Sequence, residues 1–470
     1  MTNPGRIARR VETPRIVVSA PSSGVGKTTV TLGLIGALKA RGFRVAAFKC
    51  GPDYLDPTYH RRATGSPSHN LDGWMMGREA VLATFARASH GADVAVIEGM
   101  MGLFDGTTPR ADEGSTAEIA KWLGAPVMLV VDASGMARSI AAVARGFASF
   151  DPELRLAGIV ANRIGGRGHL QILTEACEET RVLGGFPESA GDAFPERHLG
   201  LLRADENALP DARLAAWSAT AAQWLDLDAI IEIAKSAGAI EFAADSVAAT
   251  VSGGAAARCR IGIADDDAFH FYYAYNLASL EAAGAELVRF SPAHDQHLPA
   301  ADGLYFGGGY PEACAAELSA NHAMIDAIRA FAAAGRPIYA ECGGLMYLAR
   351  AIRTPDGKSW PMAEIVPGEA VMGGALAAIG YVEVETNRES IIGPAGTRFR
   401  GHQFRYSALE DAGEKIPRIY TASPRWGGAA FNEGFSIGNV LASYIHAHWA
   451  SNPAIAARFV EACVRARSGR

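Results

Sequence analysis

Short, almost uniformly apolar runs at 15–20, 44–49, 94–98, 126–131 and 156–161 alternate with Ala-rich stretches of helical character. A strand with one wet face alternates apolar and polar residues, whereas a strand covered on both faces does not. The runs therefore predict parallel strands joined by crossover helices, an open doubly wound α/β sheet. Residues 1–13 hold Arg6, Arg9 and Arg10 with no apolar run behind them, and read as a loose tail. Around 239–257 the composition shifts to Ala, Ser, Gly and Val, with no aromatic after Phe242. This predicts a linker over 244–257 between one unit at 14–243 and another at 258–470. In the second unit the apolar runs restart at 260–264, 286–290, 303–306 and 337–340, again an α/β pattern. From Gly368 onward it reads as mixed strands and loops.

A chain of 470 residues is too long for one ordinary core, which agrees with two domains. Its formal net charge of -6 runs against a nucleic-acid partner, which calls for a basic excess. No apolar run reaches the roughly 18–20 residues that span a bilayer, and no apolar segment follows the basic N-terminus as in a signal peptide. Six cysteines without a C-x-x-C pair suggest neither a zinc ribbon nor a disulfide framework. A reduced, cytoplasmic setting is expected, in which a thiol can act as a nucleophile.

Two stretches carry chemistry. Pro21-Ser22-Ser23-Gly24-Val25-Gly26-Lys27-Thr28 follows a predicted strand and opens a predicted helix. It matches the phosphate-loop pattern G-x-x-x-x-G-K-[ST] except for Pro21 at the first position. Small residues such as Ser23, Gly24 and Gly26 let backbone N–H groups face phosphates; Lys27 would neutralise their oxygens and Thr28 would ligate Mg²⁺. ATP and Mg²⁺ are thus expected. Glu98 ends a strand where a second Mg²⁺ contact or a water-orienting acid sits in such folds. The segment from Lys49 through Tyr54 to Pro57 places one cation and the carboxylates Asp53 and Asp56 in a stiff loop at another strand end. His60, Arg61 and Arg62 either meet an anionic substrate or cover a helix start. Asn162-Arg163 follows a strand and is a candidate for the nucleotide base.

The second stretch is Glu341-Cys342-Gly343-Gly344, after a buried strand and before a helix. A nucleophile on a tight strand-to-helix turn is exposed, with glycines permitting the strained backbone. The helix start is expected to lower the Cys342 pKa. His446 is the candidate base; His448, two residues on, either orients it or fills space. Oxyanion donors are expected from Gly343 and from the loop Gly307-Gly308-Gly309-Tyr310-Pro311-Glu312, with Gly308 foremost. Cys50, Cys177, Cys259, Cys314 and Cys463 lack such settings.

Taken together, these motifs resemble the cobyrinic acid a,c-diamide synthase family of corrinoid biosynthesis. Further matching stretches are Glu98-Gly99-Met100-Met101-Gly102-Leu103-Phe104-Asp105-Gly106, Phe194-Pro195-Glu196-Arg197-His198-Leu199-Gly200 and Gly401-His402-Gln403-Phe404-Arg405-Tyr406-Ser407. The resemblance implies an N-terminal ATP-dependent amidoligase domain similar to dethiobiotin synthase and a C-terminal domain similar to class I glutamine amidotransferases. It implies that ATP phosphorylates two acetate carboxylates of a corrin-type polycarboxylate, and that ammonia from glutamine then displaces phosphate. Lys49 and Asp53 would act catalytically, Asp53 also near Mg²⁺, with Asp56, Tyr54, His60 and Arg61 toward substrate. The two sites would face one another to shield ammonia, and a homodimer is implied by related amidoligases. Pro21 is usual in this family, but Gln403 and Arg405 replace its common Glu and His, and their roles stay open. His448 likewise stands where class I glutaminases often carry Glu. Cobyric acid synthase and a nickel sirohydrochlorin diamide synthase are the nearest alternatives. Partitioning ATPases carry a Lys where this chain has Ser22. The Ala-, Gly- and Arg-rich composition leans toward the aerobic branch, which amidates the metal-free ring.

Overall fold

The computed structural model describes residues 8–188, 209–243, 257–413 and 416–468. The chain divides into two compact units, 1–248 and 249–470. The expected linker over 244–257, apart from Ala257, and the 194–200 motif lie outside the described residues.

In the first unit, β2 (Arg15–Ser19), β3 (Val45–Cys50), β4 (His69–Leu71), β5 (Val94–Glu98), β6 (Val127–Asp132), β7 (Leu156–Ile164) and β8 (Val182–Pro187) form one seven-stranded sheet. Its order is β4-β3-β5-β2-β6-β7-β8, and every pairing is parallel. β2, β3 and β5 are buried along their whole length, the reason their sequences show no alternation. After β2 the chain turns into helix α1 (Lys27–Ala40), and after β3 into α2 (Leu55–Thr64). β2 lies between β5 and β6, so the loops after β2, β3 and β5 gather at one carboxyl edge, where open sheets bind ligands.

The loose tail is corrected in part. β1 (Ala8–Val11) pairs antiparallel with β9 (Ile240–Ala243), Val11 opposite Ile240. Arg15 at the start of β2 is fully buried and donates to the carbonyls of Leu123 and Gly238, both at 2.5 Å. A four-residue strand whose partner lies more than 200 residues away leaves little local signal.

The second unit is more β-rich than its sequence suggests. β10 (Cys259–Ala264), β11 (Ala285–Phe290), β12 (Gly303–Phe306) and β13 (Ile338–Glu341) follow the predicted α/β pattern and pair in parallel. β14 (Ala349–Arg353), β15 (Ser359–Pro361), β16 (Val366–Met372) and, further on, β19 (Ser407–Glu410) make a separate four-stranded sheet. β17 (Ala378–Thr386), β18 (Arg398–Arg405), β20 (Arg418–Pro424), β21 (Phe431–Ile437), β22 (Val440–Ser443) and β23 (His446–His448) extend the main sheet to ten strands. β22 lies parallel beside β13, and β23 pairs antiparallel with β18. No helix among the described residues is long and apolar enough to cross a membrane.

Candidate functional sites

In the first unit the phosphate loop joins buried β2 to α1. Gly26 caps the helix at φ 91°, left-handed backbone that glycine adopts without strain, and a Cβ there would collide with the Asn162 side chain. Asn162 Nδ2 donates to Val25 O at 2.7 Å. Arg163 donates to Gly24 O at 3.0 Å and pairs with Asp132. Both residues, candidates for the nucleotide base, brace the backbone of the phosphate loop. Ser23 and Gly24 are exposed. Lys27 Nζ donates to Met101 O at 2.6 Å and Ser22 O at 3.0 Å. Burial first and Lys49 next hold its pKa down to about 8.

Behind the loop sits a buried charge cluster. Thr28 Oγ1 donates to Glu98 Oε1 at 2.7 Å. Lys49 Nζ bonds Asp56 Oδ2 at 2.7 Å, Gly99 O at 2.9 Å and Glu98 Oε1 at 3.1 Å. His60 Nε2 meets Glu98 Oε2 at 2.7 Å, and His60 Nδ1 meets Ser68 Oγ at 3.2 Å. Lys49, Asp56, His60 and Glu98 are all buried. Burial alone would depress the Lys49 ammonium, but Asp56, Glu98 and Asp53 outweigh it and raise its pKa. Burial would raise Glu98, but Lys49 chiefly, with help from His60, holds it below its ordinary value.

His60 and Asp56 were expected to face substrate; the structure buries both. Tyr54 is buried too, while Arg61 is exposed. Asp53 is half-buried and its Oδ1 accepts from the Leu55 and Asp56 N–H groups at the start of α2, at 2.7 and 2.9 Å. Sequence reasoning missed Ser68 and also Asn70, whose Nδ2 donates to Gly51 O and Asp53 O at 2.8 Å each. Neither stands in a recognisable motif. Among the described residues no group of three or more His, Cys, Asp or Glu is placed to hold a metal. The Thr28 hydroxyl and Glu98 carboxylate fit Mg²⁺, a hard cation that takes few protein oxygens and fills its shell with phosphate and water.

In the second unit Cys342 follows β13 at φ 48°, ψ -102° and caps the helix Gly343–Leu348. A left-handed φ at a non-glycine residue is a strained turn of the kind that presents nucleophiles. Cys342 N donates to Ser443 O at 2.7 Å, fixing the turn to the end of β22. The Cys342 thiol is pushed up to about 12, by burial first and Glu312 next. The expected lowering by the helix start is corrected: burial outweighs the dipole of a six-residue helix.

Buried His446 stacks on His402, ring centroids 5.0 Å apart at 17°, and the two stand opposite one another across β18 and β23. Tyr273 Oη lies 3.0 Å from His402 Nδ1. Burial pushes His402 down to about 3; burial and then His402 push His446 well below its ordinary value, so both rings are neutral at neutral pH. His448 accepts from Ala450 N at 3.3 Å and packs among Tyr273 and Tyr275. Sequence reasoning gave His402 no role, since only strand pairing brings it to His446. Gly308 backs onto His446: a Cβ there would overlap His446 Cε1. Gly309 N approaches within 3.1 Å of where a Gly343 Cβ would stand, so the 307–312 loop packs against the Cys342 turn. Glu341, just before Cys342, accepts from Tyr339 Oη at 2.9 Å and from Tyr305 Oη and Ala447 N at 3.0 Å, joining the strand before Cys342 to the strand of His446. Burial raises it to about 7.

Two family models match. Residues 16–201 match a CobQ/CobB/MinD/ParA nucleotide binding domain, and residues 260–454 a CobB/CobQ-like glutamine amidotransferase domain. Fold, sites and matches define a glutamine-dependent amidating ligase with an ATP-binding domain ahead of a glutamine amidotransferase domain. The chain is 50% identical over 456 residues to a cobyrinate a,c-diamide synthase of Leptospira interrogans, covering 97% of this chain and 99% of the relative. It is 47% identical to that of Syntrophotalea carbinolica (96% and 98% covered) and 42% identical to a hydrogenobyrinate a,c-diamide synthase of Streptomyces coelicolor (96% and 97% covered). The chain belongs to the cobyrinate/hydrogenobyrinate a,c-diamide synthase family.

Proposed function

We propose that the protein amidates the a and c acetate carboxylates of cobyrinic or hydrogenobyrinic acid, using ATP and glutamine. The observation that carries this reading is the union, in one chain, of the Thr28–Glu98–Lys49 cluster behind a phosphate loop with a strained cysteine turn and a buried, neutral imidazole at His446. A carboxylate is a poor acyl donor. Transfer of the ATP γ-phosphoryl group to its oxygen gives an acyl phosphate and ADP, with Lys27 on the phosphate oxygens. Mg²⁺ held by Thr28 and Glu98 would neutralise charge on the transferring group. His446 takes the Cys342 proton as sulfur attacks the glutamine amide carbon; the thioester forms, ammonia leaves and water releases glutamate. Ammonia then attacks the acyl phosphate carbon and phosphate departs.

The high share of identity with relatives named for cobyrinate supports the cobalt-loaded ring as first substrate, with the metal-free ring second. The test is a mass-spectrometric assay with Mg-ATP and glutamine, offering both rings in parallel. Two amidations on either ring are expected. No amidation of either, with four on a preformed a,c-diamide, sinks the reading and favours the cobyric acid synthase reaction. The homodimer implied by related amidoligases is tested by light scattering on the same preparation.

A further inference from the structure

The second unit holds two charges near the Cys342 turn that form no ion pair among the described residues. Arg405 ends β18, the strand that brings His402 to His446. Its guanidinium lies over the Tyr444 ring, 4.5 Å from the centroid, and Tyr444 directly follows Ser443, whose carbonyl holds Cys342 N at 2.7 Å. Its hydrogen-bond partners are neutral, Ser407 O and Gln403 Oε1 at 3.4 Å, while the Glu433 carboxylate, whose pKa burial raises and Arg405 lowers, feels it through space. Glu312 sits on the loop that reaches the turn from β12. The preceding Pro311 places Cδ 2.9 Å from where a Gly343 Cβ would stand. Among the described ion pairs neither Arg405 nor Glu312 occurs. Both are half-buried, and both act on the Cys342 thiol, Glu312 raising its pKa and Arg405 lowering it. Burial pushes the Glu312 carboxyl up to about 7, as expected of an acid with no cation beside it.

A partly desolvated charge with no directly paired counter-ion is costly, and a ligand that brings one recovers part of that cost. The amide that Cys342 would attack is neutral and common to many molecules. What distinguishes glutamine is the zwitterion at its other end, one carboxylate and one ammonium on the same carbon. We propose that Arg405 and Glu312 form the subsite that selects glutamine, Arg405 binding its α-carboxylate and Glu312 its α-ammonium. An arginine fork suits a carboxylate. The proposal rests on Cys342 being the glutaminase nucleophile.

The test compares three amides as substrates for hydrolysis by the full chain: glutamine, 4-aminobutanamide, which lacks the carboxylate, and glutaramic acid, which lacks the amine. Wild type should prefer glutamine over either by about 10- to 100-fold in kcat/KM. Arg405→Gln should collapse the preference over 4-aminobutanamide and keep that over glutaramic acid; Glu312→Gln should do the reverse. Arg405→Lys should restore part of the lost preference. Thermal melts matching wild type establish that the variants fold. Preferences that stay fixed, or that fall together in both variants, overturn the subsite. So does an Arg405→Gln variant that only shifts the pH profile of Cys342 alkylation with KM for glutamine unchanged, since Arg405 would then serve the thiolate. Wild type that hydrolyses none of the three amides overturns the glutaminase reading itself, and the subsite with it.

Discussion

Thr28 and Glu98, 70 residues apart, are joined by a 2.7 Å hydrogen bond from the Thr28 hydroxyl to Glu98 Oε1. The other Glu98 oxygen lies 2.7 Å from His60 Nε2, so the carboxylate is held at both ends with one edge toward the phosphate loop. Glu98→Gln keeps the shape and removes the charge. We expect ATP-dependent amidation to fall about 100-fold or more, the usual cost of losing one preorganised electrostatic contact. Glutamine hydrolysis serves as the internal control, and release of inorganic phosphate is the readout.

Lys49 is the only ammonium in direct contact with both Asp56 and Glu98 among the described residues, and all three are buried. Lys49→Met should cost about 3–5 kcal/mol in urea unfolding, because two carboxylates are left buried together without their cation. Adding Asp56→Asn should recover part of it. A double variant as unstable as the single one contradicts the charge argument. The pH dependence follows from Glu98: its folded pKa lies below the unfolded one, so the stability it contributes is present above the unfolded value, about 4.3, and is lost as pH falls through the folded value.

Lys27 titrates at about 8 in the free protein, against an ordinary 10.5. Bound phosphates would favour its charged form and raise that value. Between about pH 8 and 10.5, ATP binding should therefore take up a proton. Calorimetry in two buffers of different ionisation enthalpy measures the uptake; heats that are equal in both at pH 9 refute it.

The Cys342 thiol, pushed up to about 12, is poorly ionised at neutral pH without a proton acceptor. In the free enzyme the rate of iodoacetamide alkylation should keep climbing between pH 7 and 10 with no plateau. A plateau near pH 7 would mean a preformed thiolate. Cys342→Ser should abolish glutamine-dependent synthesis, and His446→Asn should slow it about 10²–10⁴-fold.

Gly308→Ala would press a methyl into His446 Cε1. Displacing a catalytic base by about 1 Å costs on the order of 100-fold in rate. The loss should fall on kcat for glutamine hydrolysis more than on KM.

The strand runs at 94–98 and 303–306 fall where β5 and β12 stand, and those at 15–20, 44–49 and 337–340 differ by a residue at their ends. Their legibility has a physical cause: parallel strands covered on both faces need unbroken apolar residues, whatever the rest of the chain does. The phosphate loop and the Cys342 turn were legible because each packs its chemistry into a few consecutive residues with obligatory glycines. The strands from β14 onward were harder to place, since they lie partly in water and their pairings join distant segments.

By itself, then, the sequence determined two α/β units, a phosphate loop at Lys27 and Thr28, and a glycine-flanked strand-to-helix turn at Cys342. Only tertiary structure decided that His60 and Asp56 turn inward to hold Glu98 and Lys49, that Asn162 braces the phosphate loop, and that His402 stacks on His446. It also decided that the Cys342 thiol lies too deep for a short helix to ionise it. Each of these depends on which strands become neighbours and how much water they exclude, and a linear order of residues carries neither until the sheets are assembled.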